Sequence, residues 1–143
     1  MSADRTPPAI AGMLETAVYV DDIARADRFY SGVLGLRRML AGDRLWAYDV
    51  GPSQVLLVCA RAESEEDVVL PGGRVPGHRG DGPAHFAFLI EAASYDDWKA
   101  HLVAMAIPIA SEVTWSPDAR SLYVHDPDRN VVELATPGLW ANS

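Results

Sequence analysis

The chain has 143 residues, of which 49% are hydrophobic and 22% charged, and a formal net charge of −8. That size corresponds to one domain, since domains run to roughly 100–200 residues, and the acidic balance excludes a nucleic-acid binder, which needs clustered Lys and Arg. No apolar stretch approaches the roughly 18 residues of a membrane span, and Cys59, the only cysteine, excludes an internal disulfide.

Residues 1–12 hold no apolar run behind a basic start, so they are expected to form a loose tail rather than a secretory signal, in a cytoplasmic protein. Met13 to Val20 is rich in β-formers and runs into Asp21-Asp22, which predicts a strand followed by a helix N-cap. Ile23, Ala26, Tyr30, Val33 and Leu34 keep helical spacing, and Gly35 is the stop. Strands are predicted at Arg38 to Leu40, Leu45 to Val50 and Gln54 to Ala60, punctuated by Ala41-Gly42-Asp43 and Gly51-Pro52-Ser53.

The Gly- and Pro-rich run from Pro71 to Pro83 excludes a regular element and marks a mobile linker or lid. The order then repeats. Ala84 to Ile90 predicts a strand, and Ser94 with Asp97 three residues on is a capping-box start for a helix carrying Tyr95, Trp98, Leu102 and Met105. Strands follow at Ile107 to Val113, an edge strand because of Pro108, at Ser121 to His125 and at Val131 to Thr136, with the turn Asp126-Pro127-Asp128-Arg129-Asn130 between the last two.

Strand, helix and three strands are thus written twice. A lone four-stranded sheet with one helix leaves a face unburied, and a second copy covers it or shapes a cleft. Superposing the halves puts Glu15 and His85 at the same place in their first strands, and Glu133 opposite Leu57 in the last. Period-two alternation puts Glu15, Ala17 and Tyr19 on one face, and His85, Ala87 and Leu89 on one face. Ionisable residues facing a largely apolar surface are costly unless paired, hydrogen-bonded or metal-bound, so Glu15, His85 and Glu133 are candidates to meet. Trp46, Tyr48 and Phe88 are the aromatics expected to line the cleft, because small ligands favour apolar, aromatic pockets with few polar groups. His125 is read as a hairpin-end surface residue, while His78 and His101 are assigned no role. Trp140 is expected to cover the end of the domain or a partner subunit.

The stretches Leu14 to Asp22, Arg28 to Leu36, Gly82 to Phe88 and Leu122 to Leu134 resemble the two modules of vicinal oxygen chelate proteins, the superfamily of glyoxalases, bleomycin-resistance proteins and extradiol dioxygenases. The likeness spans Met13 to Gly138. It implies an α+β fold in which tandem βαβββ modules, about 13–62 and about 84–138 joined by a linker at about 63–83, form a half-open barrel around a cleft with the helices outside. The C-terminal tail would be 139–143.

For function, the resemblance implies a divalent metal ion (Fe, Mn, Ni, Co or Zn) on Glu15, His85 and Glu133; by position Glu133, or else Glu15, is the candidate catalytic base. It further implies a small oxygenated substrate, lyase, isomerase or dioxygenase chemistry, and a homodimer. Two positions depart from the family's usual pattern: Glu15 stands where dioxygenases carry a His, and Leu57 stands where glyoxalase I has a fourth, carboxylate ligand. The alternative is a metal-free small-molecule binding protein similar to the bleomycin-resistance group.

Overall fold

The computed structural model describes residues 5–143, so the first four residues of the predicted tail lie outside the described residues. Residues 5–14 enter without a regular element. The first module comprises β1 (Glu15–Val20), α1 (Ile23–Asp27), β2 (Arg37–Ala41), β3 (Leu45–Asp49) and β4 (Val55–Ala60). A short hairpin of β5 (Val68–Leu70) and β6 (Gly73–Val75) follows. The second module comprises β7 (His85–Leu89), α2 (Tyr95–Ala104), β8 (Ser111–Ser116), β9 (Ala119–His125) and β10 (Val131–Ala135).

The two four-stranded sheets share one topology, β1-β4-β3-β2 and β7-β10-β9-β8, with the first and last strand of each module parallel. The registers match as well. Glu15 pairs with Val55 and Ala17 with Leu57, while His85 pairs with Val131 and Ala87 with Glu133. The three inner strands of the two modules therefore share one register, which makes Leu57 and Glu133 structural equivalents, while the edge strands β2 and β8 are irregular at different places. Even the turn before the last strand is reproduced: Val50 N–H donates to Gln54 C=O at 3.2 Å and Asp126 N–H to Asn130 C=O at 3.1 Å. Ser53 and Arg129 take the same left-handed conformation in it, with φ of 59° and 70°.

Asp22 caps α1 as its sequence predicts, its carboxylate accepting from Arg25 N–H at 3.1 Å. Beyond Asp27 the helix widens into a π-helical turn, Arg28–Val33, where Leu34 N–H reaches back to Phe29 C=O at 3.0 Å. The wider turn brings the neighbouring pairs Phe29–Tyr30 and Val33–Leu34 into the core together. Gly35 ends it with a φ of +75°, a conformation that costs a residue with a Cβ.

One core serves both modules. The even-numbered residues of β1 and β4 (Val18, Val20, Leu56, Val58) join Leu122, Val124, Val132 and Leu134 of the second sheet around both helices. Tyr30 of the first module stacks on Phe86 of the second with ring centroids 6.4 Å apart, and a His101 ring N–H donates to Val33 C=O at 2.7 Å. Each helix buries one face in this core and turns the other to solvent on the outside of the sheets, α1 burying Ala26 and α2 burying Tyr95 and Leu102, and the odd-numbered face of each sheet is turned away from the core.

Three local expectations are corrected. β8 starts at Ser111 rather than Ile107, because Pro108 has no N–H to give a ladder and the left-handed Ala106 turns the chain beforehand. Ser94 makes no side-chain cap and closes a 3-10 turn, Ala92–Ser94, instead. The linker is less irregular than its composition implies: β5 and β6 pair within it, and its end is strapped across β1. Tyr19 Oη and His78 Nδ1 are 2.5 Å apart, Arg61 donates to Gly80 C=O, and a Cβ on Gly80 would fall 2.6 Å from the Tyr19 ring. No helix among the described residues is long and apolar enough to cross a membrane.

Candidate functional site

The site is built on the outward face of the second sheet. Parallel pairing of β7 with β10 places His85 opposite Val131 and Ala87 opposite Glu133, so the His85 and Glu133 side chains are diagonal neighbours on one face. His85 Nε2 stands 3.3 Å from Glu133 Oε1. The other ring nitrogen, Nδ1, lies 3.1 Å from Val131 C=O. A carbonyl only accepts, so Nδ1 carries a proton, and in the neutral ring Nε2 turns its lone pair toward the carboxylate. Two lone-pair atoms facing each other need a cation between them: a proton on Nε2, or a metal ion. Donors about 2.1 Å from a shared ion stand roughly 3.0–3.4 Å apart at octahedral or tetrahedral angles, so the observed spacing accommodates one. The carbonyl bond on Nδ1 is also the outer contact that orients metal-binding histidines.

Glu133 is deeply placed, its side chain 6% exposed beside a 53% exposed His85. Its second oxygen, Oε2, accepts from Ser121 Oγ at 2.5 Å, and Ser121 Oγ in turn accepts from Trp115 Nε1 at 2.9 Å. Tyr123, directly opposite Glu133 on β9, stacks on His85 with centroids 6.1 Å apart. Burial, and then the nearby Glu133 carboxylate, push the Tyr123 hydroxyl above its ordinary range, so it stays protonated.

The backbone of this corner is fixed by a buried polar clamp in the Asp126-to-Asn130 turn. Asp126 Oδ1 accepts from the N–H groups of Asp128 and Asn130 at 2.9 and 2.8 Å, and Oδ2 from Tyr30 Oη and Asn130 Nδ2 at 2.7 and 2.8 Å. Asn130 Oδ1 then accepts from Ala84 N–H at 2.8 Å. Ala84 precedes His85, and Val131 follows Asn130. The clamp therefore sets both the strand that carries the imidazole and the carbonyl that orients it.

A cavity of about 580 Å³ opens over the pair, lined by His85, Phe86, Ala87, Trp115, Tyr123, Glu133, Leu139 and Trp140. Its size suits a small ligand, for which roughly 300–1,000 Å³ is usual.

Of the three candidate ligands, the structure brings His85 and Glu133 together and leaves Glu15 elsewhere. Glu15 is exposed on the equivalent position of the first sheet and is not among the residues lining the cavity. No group of three or more His, Cys, Asp or Glu side chains arranged to hold a metal occurs among the described residues. Trp46, Tyr48 and Phe88 do not line this cavity either. The register pairs Trp46 with Val58 and Tyr48 with Leu56, which puts both aromatics on the helix-facing side. Tyr48 is fully buried with its hydroxyl donating to Asp27 at 2.7 Å, and Trp46 lies under the Arg38 guanidinium, 4.4 Å from the ring centroid. Phe88 borders a different cavity, of about 450 Å³, with Leu34, Leu36, Val50 and Trp98.

Ser121, Trp115 and Asp126 were not singled out by sequence reasoning. Ser121 and Trp115 carry no sequence signal, whereas the Asp-Pro-Asp-Arg-Asn turn is itself the signal for Asp126. Trp140, expected at the domain end, lines the cavity.

Comparison with known proteins agrees with this architecture. Residues 12–134 match the model of the Glyoxalase/Bleomycin resistance protein/Dioxygenase superfamily. The structure is similar to that of lactoylglutathione lyase from Agrobacterium tumefaciens, with a TM-score of 0.83 and 34% identity, covering 95% of this chain and 99% of that one. In fold it is also similar to a glyoxalase/dioxygenase from Nostoc punctiforme, with a TM-score of 0.69 and 18% identity over 95% and 97% of the two chains. The same holds for a glyoxalase/bleomycin resistance protein/dioxygenase from Nocardioides, with a TM-score of 0.68 and 18% identity over 91% and 85%. With its duplicated βαβββ register and a family match over most of its length, the chain belongs to the glyoxalase/bleomycin resistance protein/dioxygenase superfamily.

Proposed function

We propose that the protein binds a small oxygenated substrate at a divalent metal ion held by His85 and Glu133 and acts on it by lyase, isomerase or dioxygenase chemistry. The observation that carries this reading is the 3.3 Å approach of an imidazole Nε2, freed for coordination by the Nδ1 bond to Val131, to a buried carboxylate oxygen. When bound, the ion would polarise the oxygens of the substrate and stabilise negative charge developing on them. Ser121 holds Glu133 Oε2, which aims the carboxylate across the cavity floor and leaves Oε1 to face His85. Glu133 would also take a proton from a substrate carbon, a role its burial supports by keeping bulk water from the carboxylate. Tyr123, kept protonated, supplies a neutral O–H beside the pair.

Two donors from one chain leave an ion incompletely ligated, and Glu15 faces outward at the matching position of the first sheet. A homodimer that apposes the outward face of one copy's first sheet to the other's second sheet lets the partner subunit's Glu15 join His85 and Glu133. Leu57 adds no ligand in that arrangement, so water or substrate fills the remaining positions.

Elemental analysis of protein purified without added metal, with a Co²⁺ titration of the stripped protein, tests the reading. About one ion per chain, lost in His85→Ala, is expected. If Glu15→Gln and His85→Ala are each deficient, mixing the two in equal amounts under exchange conditions should restore about a quarter of the sites, one in each mixed dimer. Protein that takes up no transition ion in any state overturns the metal reading. It would favour the metal-free binding protein, for which the same 3.3 Å contact is an imidazolium–carboxylate pair.

A further inference from the structure

The walls of the cavity over His85 and Glu133 have a chemistry of their own. Apart from that pair, its lining is Phe86, Ala87, Trp115, Tyr123, Leu139 and Trp140, with no Lys or Arg. Two of these tryptophans are conspicuously open to solvent, Trp115 at 51% and Trp140 at 71% exposed. Exposed aromatics gathered around a cavity mark a surface that a ligand covers. The indole N–H of Trp115 is already spent on Ser121, so Trp115 presents its ring and not its donor.

On the outward face of the first sheet β1 and β4 contribute Glu15, Ala17, Tyr19, Val55 and Leu57, and the neighbouring Arg61 is engaged by Asp21 at 3.0 Å and by the Gly80 carbonyl. Arg37, on the edge strand, is held by Asp49 at 2.9 Å. A net charge of −8 adds a repulsive field for anions.

We infer that the cavity selects an uncharged substrate with a flat, apolar body, held against Trp115, Tyr123 and Trp140 while its oxygens meet His85 and Glu133. A thiol conjugate with two carboxylates, such as a glutathione adduct, finds no Lys or Arg among the residues lining the cavity. This specificity rests on the proposed site only for where the oxygens point; the aromatic walls act without a metal.

Calorimetric titration of the full chain, Co²⁺-loaded and chelator-treated, separates the two. With loaded protein, 2-naphthohydroxamic acid should bind at least twentyfold more tightly than acetohydroxamic acid, which carries the same pair of oxygens without the flat body. Trp140→Ala should cut that preference at least fivefold and leave the acetohydroxamic acid affinity unchanged. S-methylglutathione should bind at least twentyfold more weakly than the naphthyl probe. With chelated protein, 2-naphthol should still bind and still lose affinity in Trp140→Ala. That last result supports the inference even if no metal is ever taken up. Equal affinity for the two hydroxamic acids, tighter binding of S-methylglutathione, or a preference that survives a Trp115→Ala/Trp140→Ala double variant overturns it, whatever the metal does.

Discussion

The two modules share strand order, the register of their inner strands and turn conformation, and differ in what they hang on that frame. At the position where the second module has Glu133 the first has Leu57; where the second has Tyr123 the first has Ala47; and where the second has Asp126 the first has Val50. Backbone hydrogen bonds close both five-residue turns equally well, so the Asp126 clamp is not needed to make the turn. It is needed where the turn must also hold Tyr30 and the start of β7. The comparison teaches that backbone pattern alone reproduces the scaffold, while the buried polar network in one copy makes a site.

Copying first-module residues into the second breaks the comparison most severely at Asp126. Asp126→Val strands the Tyr30 hydroxyl, the Asn130 amide and the turn N–H groups in a buried corner. Unsatisfied buried donors cost about 1–3 kcal/mol each, so a loss of roughly 3–5 kcal/mol in unfolding free energy is expected, read by urea denaturation. A loss under about 1 kcal/mol would show that water replaces the clamp.

Glu133→Leu gives the opposite signature. Losing the carboxylate leaves a half-exposed imidazole that water can satisfy and one buried hydroxyl, Ser121, without its acceptor, so the midpoint of thermal unfolding should fall only slightly. Co²⁺ affinity should fall at least about a hundredfold, since a ligand counts for more than the roughly 10–100-fold of an outer contact. Loss of stability without loss of metal uptake would make Glu133 a structural carboxylate. Ser121→Ala, which removes the bond to Oε2 and the acceptor of the half-exposed Trp115 indole, belongs to that outer class and should weaken Co²⁺ binding about tenfold with little effect on the unfolding midpoint.

Much of this frame was legible beforehand, and the limits follow from what periodicity encodes. Apolar runs separated by Gly and Pro punctuate the repeat, and superposing the halves aligned Glu15 with His85 and Leu57 with Glu133, as the registers have it. Period two says which residues of a strand share a face, but not which face looks at the core. That depends on the partner strand. Trp46 and Tyr48 therefore read equally well as cleft residues until their pairing with Val58 and Leu56 put them inside. The separation of Glu15 from His85 within one chain is likewise a matter of how the modules pack, which one chain's patterning leaves open. Ser121, an ordinary strand serine, and Trp140, in a tail, acquire meaning only from what stands opposite them.

The smallest predicted effect tests where the modules meet. Tyr30, from the first module, donates to the second module's Asp126, and Tyr48 lies behind it with ring centroids 6.2 Å apart. Burial above all, then the Asp126 charge and hydrogen bond, push Tyr30 far above its ordinary range. Burial and the bond to Asp27 raise Tyr48, and burial with the Glu112 bond pushes Tyr95 up to about 12. Unfolded tyrosines titrate near pH 10, so above that pH the unfolded chain has lost protons that the native one keeps, and stability falls as pH rises. The contribution is complete below about pH 10 and drains away toward the native values. Tyr30→Phe should cost about 1 kcal/mol at neutral pH, because Asp126 Oδ2 keeps its bond to Asn130. In exchange it should flatten the decline between about pH 10 and 12 by up to about 1.4 kcal/mol per pH unit, one tyrosine's share. Parallel alkaline limbs for the two proteins would mean that Tyr30 ionises as freely in the native state as in the unfolded one, and that the contact between the modules opens before the fold does.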